Sequence, residues 1–63
     1  MISIAIAILN WNGEKLLRRF LKEVVDNSKE ASIYLIDNAS TDGSVQYVKY
    51  NHPGVKINKL DNN

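Results

Sequence analysis

Sixty-three residues with 44% hydrophobic and 24% charged side chains fit one small folded domain and exclude a disordered chain. With no cysteine and a single histidine, a disulfide framework, a thiolate metal centre and a zinc site are excluded. Eight basic and seven acidic residues are interspersed, so the net charge is +1 and no basic face is offered to nucleic acid.

The longest apolar run, Ile4 to Leu9, is far shorter than the roughly 20 residues a membrane-spanning helix needs. No cationic stretch precedes it and no small-residue cleavage site follows. The expected location is cytoplasmic, or the cytoplasmic face of a membrane in a longer parent.

In chain order, residues 2–9 form a nearly continuous isoleucine-rich run, the pattern of a strand covered on both faces. Ile2, Ile4, Ile6 and Ile8 share one face; Ser3, Ala5, Ala7 and Leu9 share the other, whose small alanines would admit a closely packed helix. From Glu14 to about Asp26 the period changes. Leu16, Leu17, Phe20, Leu21, Val24 and Val25 make the apolar stripe of a helix, with Asn12 as its expected N-cap and Asn27-Ser28 as its stop. Residues 32–37 read as a second strand, β-branched and aromatic, ending in a carboxylate. A shorter helix is expected from about Asp42 to Asn51, with Ser40, Thr41 and Asp42 as alternative caps and Val45 and Val48 facing the core. Tyr47 and Tyr50 are expected to pack. His52 is a turn residue, and Pro53-Gly54 breaks the chain. Val55 to Leu60 alternates apolar and polar with two lysines, as a protected edge strand does.

The order β-α-β-α-β predicts an α/β fold, a three-stranded parallel sheet in the order 3-2-1, which is an incomplete Rossmann-like half. That order leaves the most apolar strand at an edge. A neighbour is therefore expected beside it, either a further strand of a longer domain or a second copy, making a homo-oligomer through the first strand.

Five of the eight asparagines stand where a predicted strand ends: Asn10 and Asn12, Asn38, then Asn62 and Asn63. Asp37 and Asp61 accompany them. Ligands of open α/β sheets bind outside the carboxyl ends of the strands, where these side chains offer acceptors for a base and for ribose hydroxyls. Asn and Asp also favour turns for local backbone reasons, so each position has a purely structural reading as well. Asp37 is placed to accept from a ribose hydroxyl or a base N–H; an Asx-turn or a helix cap is its structural alternative. Trp11 packs on the rim in the corresponding reading of Asn10-Trp11-Asn12-Gly13. Gly13 stands alone after the first strand, so neither a dinucleotide loop nor a P-loop is present.

Ile-Leu-Asn-Trp-Asn-Gly at 8–13 and Ile-Asp-Asn-Ala-Ser-Thr-Asp-Gly-Ser at 36–44, with the leucine-rich helix between them, closely resemble the start of family-2 glycosyltransferases of the GT-A fold. The resemblance covers essentially the whole chain and about the first quarter of a family member. It implies an inverting transfer of a sugar from a nucleotide-sugar donor of the UDP or dTDP type, with Mg²⁺ or Mn²⁺ bridging the diphosphate in the full-length parent. Leu9, Asn10, Trp11 and Asn12 would line the base and ribose pocket, and Asp37 or Asn38, with Asp37 favoured, would contact the base. Many members carry Asp-Asp where this chain has Asp37-Asn38. The family's Asp-any-Asp metal motif and its catalytic base would lie beyond residue 63. The chain is thus expected to be the N-terminal part of a GT-A domain, with no catalytic residue, no metal of its own and no transfer activity alone. Outside the resemblance, a non-enzymatic, self-associating nucleotide- or protein-binding α/β module is the alternative. A receiver-like signalling domain would need an acidic pair after the first strand, where Asn10 stands.

Overall fold

A computed structural model describes residues 3–60; the expectations for Ile2, Asp61, Asn62 and Asn63 lie outside them. The elements are β1 (Ile4–Asn10), α1 (Glu14–Asn27), β2 (Ala31–Asn38), α2 (Ser44–Asn51) and β3 (Lys56–Leu60). They form one parallel sheet in the order β1-β2-β3. β2 is central, and β1 and β3 are the edges, as the element order predicts.

In-register pairing sets Ile6 beside Ile33, Ile8 beside Leu35 and Asn10 beside Asp37, so these six side chains share a face. Both helices pack on that face. Leu17, Leu21, Ile33, Leu35, Val48 and Val55 are the buried core, with Ile6, Ile8, Val24, Val25, Tyr47 and Ile57 packed against it. Successive right-handed crossovers in one direction across a sheet place their helices on the same side. Among the described residues no element covers the other face. That corrects the expectation of a first strand covered on both faces: Ala5, Ala7 and Leu9 point away from the helices and are exposed, Leu9 by 82%.

Three local expectations also change. The N-cap position of α1 is Gly13 rather than Asn12, with no side-chain cap from its own residue. α2 starts at Ser44, two residues after Asp42, because the intervening residues are drawn into the loop contacts described below. Tyr47 packs under the Arg18 guanidinium, 4.6 Å from its ring centroid, and edge-on to His52. Tyr50, one residue off the core stripe of α2, is 86% exposed. No helix among the described residues is long and apolar enough to cross a membrane.

Candidate functional site at the carboxyl ends of the strands

The β1–α1 and β2–α2 loops leave the same end of the sheet, and a buried polar cluster joins them. Asn10 and Asp37 are register partners on the helix-covered face, 6% and 0% exposed. The Asn10 amide Nδ2 donates to Asp37 Oδ1 at 2.7 Å and to Ser44 Oγ at 2.9 Å, and approaches Ser40 Oγ at 3.2 Å. Its Oδ1 accepts from the Gly13 N–H at 3.1 Å. Ser40 closes the ring: its Oγ donates to Asp37 Oδ1 at 2.6 Å, and its N–H donates to Oδ2 at 3.1 Å. Every buried side-chain polar atom among the described residues has a partner. Such a network is worth building only if complete, since one orphaned group costs about 1–3 kcal/mol.

The burial of Asp37 pushes its carboxyl pKa up. The hydrogen bonds from Ser40 and Asn10 and the charge of Lys59 outweigh that and hold it below the ordinary 3.8. Asp37 is thus an ionised, buried carboxylate whose lone pairs are spent on its own loops. Lys59 is its register partner on β3.

Around this hub the two loops cap each other. Asn12, at a left-handed φ of 51°, accepts on Oδ1 from the N–H groups of Thr41 and Asp42, at 2.7 and 3.2 Å. Its own N–H donates to Ser40 Oγ at 2.8 Å. Asp42 Oδ2 accepts from the Glu14 N–H at 3.1 Å, capping the first turn of α1 from the other loop. In return Glu14 Oε1 accepts from the Gly43 N–H at 3.0 Å at the start of α2. Each helix N-terminus therefore takes one acceptor from across the pair, α1 from Asp42 and α2 from Glu14, which satisfies orphan donors and complements both dipoles. The other oxygen of Asp42 accepts from the N–H and hydroxyl of Ser44. Burial pushes the Asp42 pKa up, and the bonds from Ser44 and Glu14 bring it below the ordinary value. Ala39, at φ 54°, makes the sharp turn that brings Ser40 back over Asp37.

The residues expected to form the site thus separate into two sets. Asn10 and Asp37 are internal. Leu9 and Trp11 are exposed by 82% and 62%, Asn12 is exposed, and Asn38 is half-buried on the helix-free face beside Leu60. Ser40, Ser44 and Glu14 belong to the cluster, yet in the sequence only Ser40 reads as a candidate cap and none of them as a site residue. For Ser40 and Ser44 the signal was the crowding of Ser, Thr, Asp and Gly in 40–44. A groove of about 710 Å³ lies elsewhere, among Arg18, Lys22, Tyr47, His52 and Val55 between the helices. Its floor is the opening residues of β2, so it faces away from the strand ends that carry the cluster.

A three-stranded parallel sheet with two helices on one face and paired polar loops over the carboxyl ends of its first two strands is a partial Rossmann-like half. The sequence profile of glycosyl transferase family 2 matches residues 3–63. The chain belongs to that family. No curated protein and no solved structure matches it.

Proposed function

We propose that the chain is the nucleotide-sugar donor-binding segment of an inverting glycosyltransferase and does not transfer sugar by itself. The observation that supports this most directly is the division of the rim. Asn10, Asp37, Ser40 and the Asn12 side-chain carbonyl oxygen fix the two loops, leaving Trp11 and Leu9 exposed and Asn38 half-buried at the end of β2, outside the cluster. An exposed indole offers a stacking surface for a pyrimidine base, worth about 1–3 kcal/mol. The Asn38 amide carries both a donor and an acceptor for a base edge. The base contact falls to Asn38 rather than to Asp37, whose carboxylate is occupied. Asp37 is a positioning residue.

In the parent reaction the acceptor hydroxyl attacks the anomeric carbon, the bond to the nucleoside diphosphate breaks, and the proton passes to a base outside this chain. Mg²⁺ or Mn²⁺ is assigned to residues outside it too. The two rim carboxylates, Asp37 and Asp42, are committed to internal donors.

Trp11 is the only tryptophan, so its fluorescence reports on the rim directly. Titration with UDP and dTDP should give saturable quenching, and equilibrium dialysis should show binding that Asn38→Ala weakens about tenfold or more while the melting temperature holds. Absence of UDP or dTDP binding at millimolar ligand would overturn the donor-site reading. Sugar transfer by the 63-residue chain would overturn its inactivity.

A further inference from the structure

We propose that Asn12-Gly13 is a site of spontaneous deamidation, and that the β2–α2 loop holds it shut. The proposal does not rest on the donor-site reading. Of the eight asparagines, Asn12 alone is followed by glycine. In the reaction the Gly13 backbone nitrogen loses its proton and attacks Cγ of Asn12. The Cγ–Nδ2 bond breaks, ammonia leaves, and a five-membered succinimide remains. Water then opens the ring. Attack at the side-chain carbonyl gives aspartate; attack at the main-chain carbonyl gives isoaspartate, whose backbone is longer by one methylene. Glycine as the following residue has no Cβ to hinder ring closure.

The fold sets two effects against each other. Asn12 Oδ1 accepts from the N–H groups of Thr41 and Asp42 at 2.7 and 3.2 Å, which polarises Cγ as the donors of an oxyanion hole do. Geometry opposes this. Asn12 has φ 51°, and in the left-handed region that goes with ψ of about +30 to +60°. Such a rotation sets the Gly13 nitrogen nearly opposite Cβ about the Cα–C bond, whereas ring closure needs the two eclipsed. The loop donors on Oδ1 also hold the side chain in place. The Asn12 N–H donates to Ser40 Oγ at 2.8 Å, and the Gly13 N–H donates to Asn10 Oδ1 at 3.1 Å. That last acceptor is a neutral amide oxygen, which takes no proton from the attacking nitrogen. Polarisation helps only an attack that can take place, so the geometric lock decides.

Three of the four bonds of the lock cross from one loop to the other. A local opening that leaves the sheet paired is therefore enough to release the residue. The two products then differ. Aspartate at position 12 keeps an oxygen for the Thr41 and Asp42 N–H groups. Isoaspartate carries its extra methylene into the turn before α1 and moves the Gly13 N–H off Asn10 Oδ1, so the loops do not rejoin as they were.

Peptide mapping by mass spectrometry during incubation at neutral pH tests this, since deamidation adds one mass unit at position 12. A synthetic peptide of residues 8–16 has the Asn-Gly pair without the partner loop and gives the unlocked rate. The folded 63-residue chain should react more slowly by about tenfold or more. Asp42→Ala removes a cap between the loops, and Ser40→Ala removes the acceptor of the Asn12 N–H. Each should speed the reaction severalfold with the chain still folded by circular dichroism, and Asp42→Ala carries the test should Ser40→Ala not fold. Ile33→Val, a mild core truncation toward the other end of β2, should lower the melting temperature and leave the rate unchanged. A folded chain that reacts as fast as the peptide would overturn the proposal. So would rates that follow melting temperature alone, Ile33→Val included, because the reaction would then run from the globally unfolded chain.

Discussion

Replacing Asn10 by Asp keeps the shape of the buried cluster and inverts its response to pH. In the native chain the amide of Asn10 donates to Asp37 at 2.7 Å. The aspartate would set a second carboxylate against the first, in a site from which Asp37 has no access to water. Losing a hydrogen bond to a charged group costs about 1.5–3 kcal/mol. Two like charges 4 Å apart add about 4 kcal/mol at an effective dielectric of 20. A chain of this length has roughly 3–9 kcal/mol of stability in total, so at pH 7 the variant should be largely unfolded or close to it. Lowering the pH relieves the conflict, because one proton shared between the two acids restores a donor.

The signs of the two pH responses are opposite. In the wild type the folded pKa of Asp37 is lowered below 3.8, so its contribution is complete above the unfolded value and stability is flat from pH 5 to 7. In the variant the pair has one strongly raised pKa, so the folded state binds the extra proton and stability falls as pH rises. Each pH unit over which the folded chain holds that proton and the unfolded chain does not is worth about 1.4 kcal/mol. Between pH 7 and pH 5 the variant should therefore gain up to about 2.7 kcal/mol, while the wild type is unchanged. Urea unfolding followed by far-ultraviolet circular dichroism at the two pH values measures this. Parallel behaviour, with a constant gap in midpoint between the two proteins, would refute the buried pairing of Asn10 with Asp37.

Three further outcomes follow from the same geometry. Gly13→Ala would set a Cβ 2.6 Å from Asn10 Oδ1, whose amide is anchored through Nδ2 to Asp37 and Ser44, whereas a Cβ on Gly54 meets nothing within 4 Å. The first should cost about 1–3 kcal/mol and the second should lie within about 1 kcal/mol of the wild type, as read by thermal melts. Glu14→Ala and Asp42→Ala each remove a cap taken from the opposite loop and should cost about 1 kcal/mol. Because both caps clamp the same pair of loops, the double variant should lose less than the sum, and strict additivity in a double-mutant cycle would contradict the mutual capping. In acid, Asp37 and Asp42 both have lowered pKa values, so their contribution is lost as pH falls below about 3.8. The melting temperature should hold from pH 7 to 5 and drop between pH 4 and 2; an unchanged melting temperature at pH 2.5 would disagree.

Much of this architecture is legible in the chain because it is periodic. The isoleucine run of β1, the Leu17-Leu21-Val24 stripe and the Tyr-Leu-Ile run before Asp37 each repeat at the spacing of their element, and the alternation of elements implies the parallel order. Periodicity does not show how many sides of an element will be covered. Leu16 and Phe20 belong to the same sequence stripe as Leu17 and Leu21, yet among the described residues no element lies beyond β1, and they are 60% and 51% exposed. The polar cluster was legible as a set of residues and illegible as a network. Asn12 reads as the cap of the helix that follows it, and instead it accepts from Thr41 and Asp42 across a separation of about thirty residues. Local propensity is the same for either use, since a short amide favours turns and left-handed φ in both. Only the pairing of β1 with β2 decides which backbone groups it meets.

That network alters how a loss of ligand binding at this rim should be read. A substitution at Asp37 removes the acceptor shared by Asn10 and Ser40, and so releases both loops whether or not Asp37 touches a ligand. Weaker nucleotide binding in Asp37→Ala would therefore not identify a contact, because the unfolding midpoint should fall with it. Trp11 is largely exposed, and Asn38 points to the helix-free face, outside the cluster. Substitutions there leave every bond of the cluster in place and can weaken binding at constant stability. A ligand contact is thus distinguished from a positioning residue by measuring affinity and midpoint on the same variant. By that criterion Asn38 should separate the two quantities and Asp37 should move them together.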